Sequence, residues 1–319
     1  MKQARWSHAL CGVLLGLIAA PSLAAQDLAA SAPNEAHVCQ MARLSVQVLG
    51  SGGPEFDAHR ASTGYVVWRE GKAWALVDAG SGTRLRFAQT GAKFEDLKHV
   101  LFTHVHVDHS VDFAGFVKSS YFTTRTQALQ VWGPTGNAQF PATRDFVQRL
   151  FARPDGVYPY LGGYLSGQAD YAIQAHDIDA NEHEVRPVFE DQGLRASAVA
   201  VEHGVLPALA WRLDLGEHSV TFSGDTSGRN GWLASLARDT DLLIAHHAIT
   251  WRHQGVYGLH MPPAVIGEVA QQAQAKRVWL SHRMQRTLGD EARTLSDIRE
   301  TYAGPVRFAE DLQCRVVVP

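Results

Sequence analysis

The sequence predicts an α/β protein that folds as a single domain. Short apolar runs typical of β-strands are separated by segments with helical periodicity along most of the chain, as in proteins that layer sheets and helices. Of the 319 residues, 45% are hydrophobic and 19% are charged, which is the composition of a globular protein with a substantial core. No repeat, low-complexity stretch or linker follows residue 43, so the predicted domain covers residues 43–319.

The elements of this domain are predicted from hydrophobic periodicity and from turn residues. Strands are predicted at residues 44–49, 65–68, 75–77, 99–102, 129–132, 196–201, 208–213, 220–222, 242–245, 277–280 and 315–318. Helices are predicted at residues 84–89, 111–118, 143–151, 232–238, 263–274 and 295–302. The tyrosine-rich segment 154–171 is predicted to be a long loop or a lid, with an ordered surface loop of packed tyrosines as the alternative.

The N-terminus has the layout of a secretory signal peptide. Lys2 and Arg5 precede an apolar stretch at residues 9–20, and small residues suited to cleavage follow it. We predict a signal peptide at residues 1–25, export to the periplasm, and a linker at residues 26–42. The apolar stretch is shorter than the ~20 residues that a membrane-spanning helix needs, so no membrane span is expected. A buried N-terminal helix is the alternative interpretation.

Two cysteines remain once the signal peptide, which contains Cys11, has been removed. Cys39 lies just before the first predicted strand and Cys314 lies at the last one. Because exported proteins meet oxidising conditions, we predict a disulfide between them. Two free buried cysteines are the alternative, since the sequence cannot show that the two Cα atoms lie within bonding range.

The charge pattern shows no basic footprint for a nucleic acid. The formal net charge is -3, and no block of Lys and Arg occurs, so we expect nucleic acid not to be a partner. Histidine is the abundant functional residue type, with 16 copies. Its side chain transfers protons and binds metals near neutral pH, so the arrangement of these histidines is the informative feature.

The strongest motif is segment 103–109, which directly follows the apolar run at residues 100–102. A strand therefore delivers three histidines and an aspartate to one place, followed by a helical pattern. These residues are His104, His106, Asp108 and His109. Left without a partner, so many polar groups at the end of a buried strand would cost stability, whereas imidazole and carboxylate are natural ligands of Zn²⁺ and also suit Fe or Mn.

Three later strands also end in residues that can bind a metal. His203 follows the predicted strand that ends at residue 201. Asp225 comes shortly after the strand 220–222, and His282 follows the strand 277–280. A single histidine after a strand is a weak signal, but three such positions downstream of the histidine motif together favour one shared metal site.

These residues resemble the metallo-β-lactamase-fold hydrolase superfamily, above all in the pattern His-x-His-x-Asp-His. The resemblance runs from about residue 44 to residue 282 and beyond, and it implies a four-layer αββα sandwich with two metal ions at one edge of the facing sheets. The implied ligands are His104, His106 and His203 for one metal, Asp108, His109 and His282 for the other, and Asp225 as the bridge. Two Zn²⁺ are the expected cofactors, with iron or manganese as alternatives.

Within the superfamily, the chain is most similar to the branch of ribonuclease Z and the secreted zinc arylsulfatases. Segments 203–213 and 260–282 carry this similarity, as does segment 49–54, whose glycines either let the backbone pass close to the site or form a tight turn. True β-lactamases have a cysteine at the position of Asp225, which argues against antibiotic hydrolysis. Ribonuclease Z has a long tRNA-gripping arm between the positions of His203 and Asp225, which are only 22 residues apart here, so tRNA processing is not expected.

The resemblance also implies a mechanism. A hydroxide between the two metals is the expected nucleophile, oriented by Asp108. His260 matches a family histidine near the substrate and is the candidate general acid. His247 stands where the branch has a glutamate, and we expect it to contact His260.

The sequence thus predicts a secreted dinuclear zinc hydrolase of small anionic esters, with arylsulfatase-like or phosphodiesterase-like activity. A lactonase or another carboxylic-ester hydrolase is the alternative on the same ligand set, and an iron-loaded oxidoreductase is a further one. The expected partner is a small anionic ester, and a homodimer is left open.

Overall fold

Two seven-stranded sheets face each other in the computed structural model, which describes the backbone of residues 35–319 and side chains from residue 38 onward. The strands are β1 (Leu44–Gly50), β2 (Gly64–Arg69), β3 (Lys72–Val77), β4 (His99–Leu101), β5 (Leu129–Pro134), β6 (Ile173–Ile178), β7 (Arg186–Asp191), β8 (Leu194–His203), β9 (Leu206–Leu215), β10 (His218–Phe222), β11 (Leu242–His246), β12 (Val278–Ser281), β13 (Val306–Phe308) and β14 (Cys314–Val318). The helices are α1 (Glu35–Met41), α2 (Thr83–Gln89), α3 (Val107–Ser110), α4 (Phe113–Ser120), α5 (Thr143–Phe151), α6 (Gly163–Ser166), α7 (Trp232–Leu236), α8 (Pro263–Gln272) and α9 (Glu291–Arg299).

The two sheets have the same type of strand arrangement, with antiparallel pairs on one side and parallel pairs on the other. The first has the order β14-β1-β2-β3-β4-β5-β6 and the second has the order β13-β12-β11-β10-β9-β8-β7. In the first sheet the pairs from β3 to β6 are parallel and the rest are antiparallel. In the second, the pairs from β10 to β13 are parallel. Each sheet therefore has a set of parallel strands whose carboxyl ends meet at one edge.

The protein has four layers, two sheets with helices on the outer face of each, and a cluster of buried apolar residues lies between each pair of adjacent layers. The inner faces of the sheets enclose one cluster, which includes Tyr65 and Trp211. On the outer face of the first sheet, Phe113 and Phe151 belong to the helix-covered cluster. The corresponding cluster on the second sheet includes Ile298. Because each sheet is buried on both faces, its central strands are continuous apolar runs in the sequence. The predicted α/β four-layer sandwich is confirmed.

Three strands were not predicted, and all three lie at sheet edges. They are β6, β7 and β13, and most of their residues are only half-buried or exposed. Edge strands bury less surface and tolerate charged residues, so the hydrophobic alternation that identifies a strand is weak there.

The structure describes only part of the N-terminal region for which a signal peptide and a linker were predicted. The signal peptide at residues 1–25 lies outside the described residues, and export stays a prediction. Part of the predicted linker is instead helix α1, whose last turn packs beside β1 and β14. Within the described part of the chain, no helix is long and apolar enough to cross a membrane.

The tyrosine-rich segment corresponds to the packed alternative rather than to an open lid. It contains a short 3₁₀ helix at Pro159–Leu161 and helix α6. Tyr164 and Tyr171 are buried with ring centroids 4.5 Å apart, and the Tyr171 hydroxyl lies 2.7 Å from Ser120 Oγ. These contacts tie the segment to the helical layer of the first sheet.

The disulfide is present in the structure. Cys39 in α1 is bonded to Cys314 at the start of β14, with their Cα atoms 5.7 Å apart. The bridge spans 275 positions of the sequence and so closes almost the entire domain into a loop. Such a long loop restricts the unfolded chain strongly.

Replacing both cysteines by serine should therefore lower the free energy of unfolding by about 2–5 kcal/mol. Chemical denaturation with and without a reductant measures the effect. The reductant should destabilise the wild-type protein and leave the double variant unchanged. Equal midpoints for wild type and double variant under oxidising conditions would contradict the bridge.

Candidate metal centre

The candidate centre lies where strands from both sheets end. The turn after β4 carries His104, His106, Asp108 and His109, the last two already in helix α3. The second sheet contributes His203 at the end of β8, and Asp225 and His282 just after β10 and β12. Fold topology thus brings together all seven residues predicted to bind metals, although they span nearly 180 positions of the sequence.

Three histidines form one group of potential ligands. His104 Nε2 lies 3.1 Å from His106 Nδ1, and the His203 ring lies 5.0 and 5.2 Å from those two rings. One ring nitrogen from each lies within 4.8 Å of the others, close enough for a single ion. Such a close approach of imidazole nitrogens is stabilised by a shared proton or a shared cation.

The second group is joined to the first through Asp225. His282 Nε2 lies 3.2 Å from Asp108 Oδ2 and 3.4 Å from Asp225 Oδ2. His109 Nε2 lies 3.5 Å from Asp108 Oδ2 and 3.7 Å from Asp225 Oδ2. The same Asp225 oxygen is 3.8 Å from His203 Nε2 in the first group. This oxygen therefore lies near histidines of both groups.

Asp78 orients this histidine cluster and was missed by the sequence analysis. Its Oδ2 accepts hydrogen bonds from His109 Nδ1 and Thr103 Oγ1, both at 2.8 Å, and its Oδ1 accepts the Thr103 backbone N–H at 2.8 Å. The Thr103 hydroxyl in turn lies 3.0 Å from His104 Nδ1. The same rule that selected other strand ends points to Asp78, because it directly follows β3.

These hydrogen bonds assign the ring nitrogens. Since His109 and His104 use Nδ1 for Asp78 and Thr103, their Nε2 lone pairs face the centre. His203 likewise donates from Nδ1 to the Leu259 carbonyl at 2.8 Å. His109 Nε2 is buried and has no hydrogen-bond partner among the described residues. A buried, unpaired imidazole nitrogen facing carboxylates fits a divalent metal such as zinc.

The carboxylates give the centre a strong preference for positive charge. Burial alone would raise the pKa of the Asp108 carboxyl, but His109 and His282 outweigh burial and hold that pKa well below its usual range. Burial is outweighed in the same way at Asp225, whose pKa is also lowered. Conversely, burial would lower the pKa of His109, but the surrounding carboxylates raise it.

Close backbone approaches enclose the centre. A Cβ atom at Gly53 would lie 2.8 Å from His282 Cε1, and one at Gly80 would lie 2.0 Å from the Asp108 carbonyl oxygen. Only glycine fits at these two positions. The glycine-rich segment 49–54 therefore passes against the site, as one of its two predicted interpretations proposed.

His246 is a further residue that the sequence analysis left without a firm role. Its Nδ1 lies 2.7 Å from Asp225 Oδ1, the oxygen that faces away from the other histidines. Its Nε2 lies 3.2 Å from the hydroxyl of Tyr65, which is also 2.7 Å from Ser281 Oγ. Tyr65 belongs to the first sheet, so this chain of contacts crosses the sandwich and fixes the orientation of Asp225.

The expected contact between His247 and His260 is not found among the described residues. His246 ends β11 facing Asp225, so the next side chain points the other way. His247 is buried with its ring 6.1 Å from that of Phe308 and its Nε2 3.4 Å from Thr294 Oγ1, and burial lowers its pKa to about 3. It is therefore a packed residue of the second sheet's outer side rather than a partner of His260.

His260 does reach the centre. Its Nδ1 lies 3.8 Å from Asp225 Oδ2, and its ring is 5.3 Å from that of His203. Burial lowers the pKa of this imidazole to about 3, and its Nδ1 has no hydrogen-bond partner among the described residues. It is thus free to contact a substrate.

A cavity of about 310 Å³ opens onto the centre. Its lining comprises Pro54, His106, Asp108, Phe140, His203, Val205, Leu206, Asp225, Leu259, His260, His282, Met284 and Arg286. Arg286 is the cation in this lining, and its Nε donates to the Ala248 carbonyl at 2.7 Å. No residue of the tyrosine-rich segment 154–171 takes part in this lining.

A comparison with protein families identifies the chain. The family described as Beta-lactamase superfamily domain matches residues 73–283, which is more than half of the sequence. The chain belongs to this family. The matched region contains every candidate ligand, and membership in the family confirms the resemblance inferred from the sequence motif.

Curated members of the superfamily include ribonucleases Z. Ribonuclease Z of Mycobacterium sp. strain KMS is 29% identical over 192 residues, covering 57% of this chain and 61% of the relative. The chain thus spans about three fifths of the length of this relative. Ribonuclease Z of Pseudomonas putida strain F1 is 24% identical over 304 residues, covering 82% of this chain and 93% of the relative.

Solved structures show the same fold. The metallo-beta-lactamase fold protein YhfI from Bacillus subtilis has a TM-score of 0.68 and 20% identity, covering 85% of this chain and 98% of its own. The short form of human tRNase Z has a TM-score of 0.67 and 21% identity, covering 86% of this chain and 99% of its own.

These comparisons correct one prediction. We expected that nucleic acid would not be a partner, and this exclusion is wrong, because the relatives are named as ribonucleases Z and a structural neighbour is a tRNase Z. The exclusion rested on the small net charge and on the lack of a block of Lys and Arg in the sequence. That count omits the charge that metal ions would add at the site where a substrate binds.

The contacts of Asp78 give a test of the centre. Asp78→Asn should keep the backbone, since asparagine also tolerates the positive φ of 57° found here, but it should weaken the orientation of His109. We expect metal affinity to fall by about 10–100-fold, measured as metal retained against a competing chelator. Asp112→Asn, at a half-buried carboxylate that accepts the Arg84 backbone N–H, is the control. Equal metal retention in both variants would contradict the role of Asp78.

Proposed function

We propose that this chain hydrolyses phosphodiesters at a centre that holds two divalent metal ions, with zinc as the first candidate. The observation that carries the proposal is the position of Asp225 Oδ2, which lies 3.4–3.8 Å from ring nitrogens of both ligand groups. A carboxylate oxygen placed between two sets of imidazoles is suited to two cations rather than to one. Iron and manganese suit the same nitrogen and oxygen donors and are alternatives.

An anionic substrate follows from the charges around the cavity. Two divalent ions carry about four positive charges, which Asp108 and Asp225 offset only in part. Arg286 adds a fixed positive charge at the cavity lining. Ribonuclease Z relatives favour a phosphodiester over a sulfate ester or a lactone, and RNA belongs among the substrates to be tested.

The protein's own groups take separate roles in the proposal. Bound divalent metals would lower the pKa of a water molecule toward neutrality and stabilise negative charge on the phosphoryl group. Asp108 lines the cavity, where its carboxylate orients the attacking water. His260 lies on the same cavity, where its ring N–H donates a hydrogen bond to the oxygen of the leaving group and so stabilises the negative charge that develops there. Arg286 holds a non-reacting oxygen of the substrate.

Variants of the ligands test the metal dependence. His106→Ala and Asp225→Ala should each reduce bound metal and lower kcat/KM on a bis-aryl phosphodiester by at least about 100-fold. His59→Ala, at an exposed histidine away from the cavity, should keep both properties. Full activity of His106→Ala would refute the site. Rapid turnover of aryl sulfates or lactones with none of phosphodiesters or RNA would refute the substrate class.

His260→Ala should slow esters with poor leaving groups far more than those with good ones, because a good leaving group needs less stabilisation of its developing negative charge. The measurement is kcat for a series of aryl phosphodiesters whose phenols differ in pKa. In the variant, kcat should fall more steeply with rising phenol pKa than it does in the wild-type protein. His59→Ala should keep the wild-type slope. A uniform loss across the series would remove His260 from this role.

A further inference from the structure

A second cavity, of about 240 Å³, lies at the open edge of the sandwich and is lined by three arginines. Its lining residues are Arg277, Val278, Trp279, Pro305, Arg307 and Arg315. Arg277 directly precedes β12, whereas the candidate ligand His282 directly follows it. The two cavities therefore lie toward opposite ends of this strand, and they share no lining residue.

Sheet register explains why the arginines converge. Arg307 in edge strand β13 pairs with Trp279, and Arg315 in edge strand β14 pairs with Val46. Trp279 and Val46 both belong to the cluster between the sheets. Directly paired residues share a face of the sheet, so Arg307 and Arg315 approach from the two sheets toward the space between them.

The three arginines lack the usual partners. None of them forms an ion pair or a side-chain hydrogen bond with another described residue. The Nε atoms of Arg277 and Arg315 are buried and unpaired. By contrast, Arg212 on the same sheet pairs with Asp214 at 2.8 Å. Three like charges around one cavity repel each other, and buried unpaired donors cost stability, so this arrangement favours an anion.

We propose that this cavity binds a phosphate group, either as inorganic phosphate or as the monoester of a small molecule. Guanidinium groups match phosphate oxygens in pairs, and a phosphate dianion offers enough oxygens for three of them. The cavity is smaller than the ~300–1,000 Å³ typical of sites for larger ligands, which suits a compact oxyanion. Trp279 provides a flat apolar wall beside it.

Titration calorimetry of the metal-loaded enzyme with inorganic phosphate and with glycerol phosphate, at constant ionic strength, tests the proposal. Arg307→Gln is the first variant, because Arg307 is the exposed member of the three and its loss is tolerable for folding. Arg315→Gln is the second. Arg195→Gln, at an exposed arginine of β8 outside this cavity, is the matched control.

We expect both cluster variants to weaken binding of at least one of these ligands at least tenfold, with the control like wild type. The kcat/KM on a phosphodiester and its inhibition by phosphate should stay unchanged in Arg307→Gln, which separates this cavity from the catalytic one. Equal binding of phosphate by all variants would overturn the proposal. It would also be overturned if the cluster variants lost affinity for chloride as much as for phosphate, because the cavity would then not distinguish a phosphate group from a simple anion. A ribo-oligonucleotide without terminal phosphates is titrated as well. A loss of binding confined to this probe would also overturn the proposal, because the cavity would then bind a nucleic acid backbone.

Discussion

The Asp225 carboxylate is the contact on which the rest of the candidate centre depends. One of its oxygens faces His109, His203 and His282, and the other is held by His246. Candidate ligands from both sheets surround this group, and it contacts His109 from the first sheet as well as His203 and His282 from the second. The chain can therefore assemble the centre only when the two sheets pack in the observed register, which couples metal binding to the fold of the entire sandwich.

Supporting residues hold that geometry at a cost in local stability. Asp78 and His282 both adopt positive φ angles, of 57° and 55°, which most residues avoid. Each lies at a strand end from which its side chain must turn sharply toward the centre. The Asp78–Thr103 hydrogen bonds and the Tyr65 hydroxyl compensate by satisfying buried polar groups on both sheets. These hydrogen-bonded neighbours restrict the side-chain conformations of the candidate ligands.

The sequence predicted the parts of this account that are local or that follow from strand ends. The segment 103–109 and the residues after three later strands are recognisable because several metal-binding side chains stand directly after apolar runs. Asp78 obeys the same rule, yet it precedes the histidine motif, and only strand ends downstream of that motif were weighed. His247 was expected to contact His260, but it points to the opposite side of its strand, because neighbouring residues of a strand face opposite ways and sequence alone does not set which of them faces the site.

Other features depended on tertiary structure. The arginines at the sandwich edge are far apart in sequence, and only the pairing of β13 and β14 with their neighbours shows that they converge. Edge strands β6 and β7 are too polar to identify by periodicity. The likeness to ribonucleases Z was recognised from short segments such as 203–213 and 260–282. Comparison over longer stretches of chain confirmed it and overruled the exclusion of nucleic acid, which rested on the charge pattern.

X-ray diffraction at the absorption edge of the bound metal tests the central claim most directly. We expect two anomalous peaks, one beside His104, His106 and His203 and the other beside Asp108, His109 and His282, with Asp225 between them. A single peak on one side of Asp225, or a metal bound elsewhere with the two ligand groups empty, would contradict it.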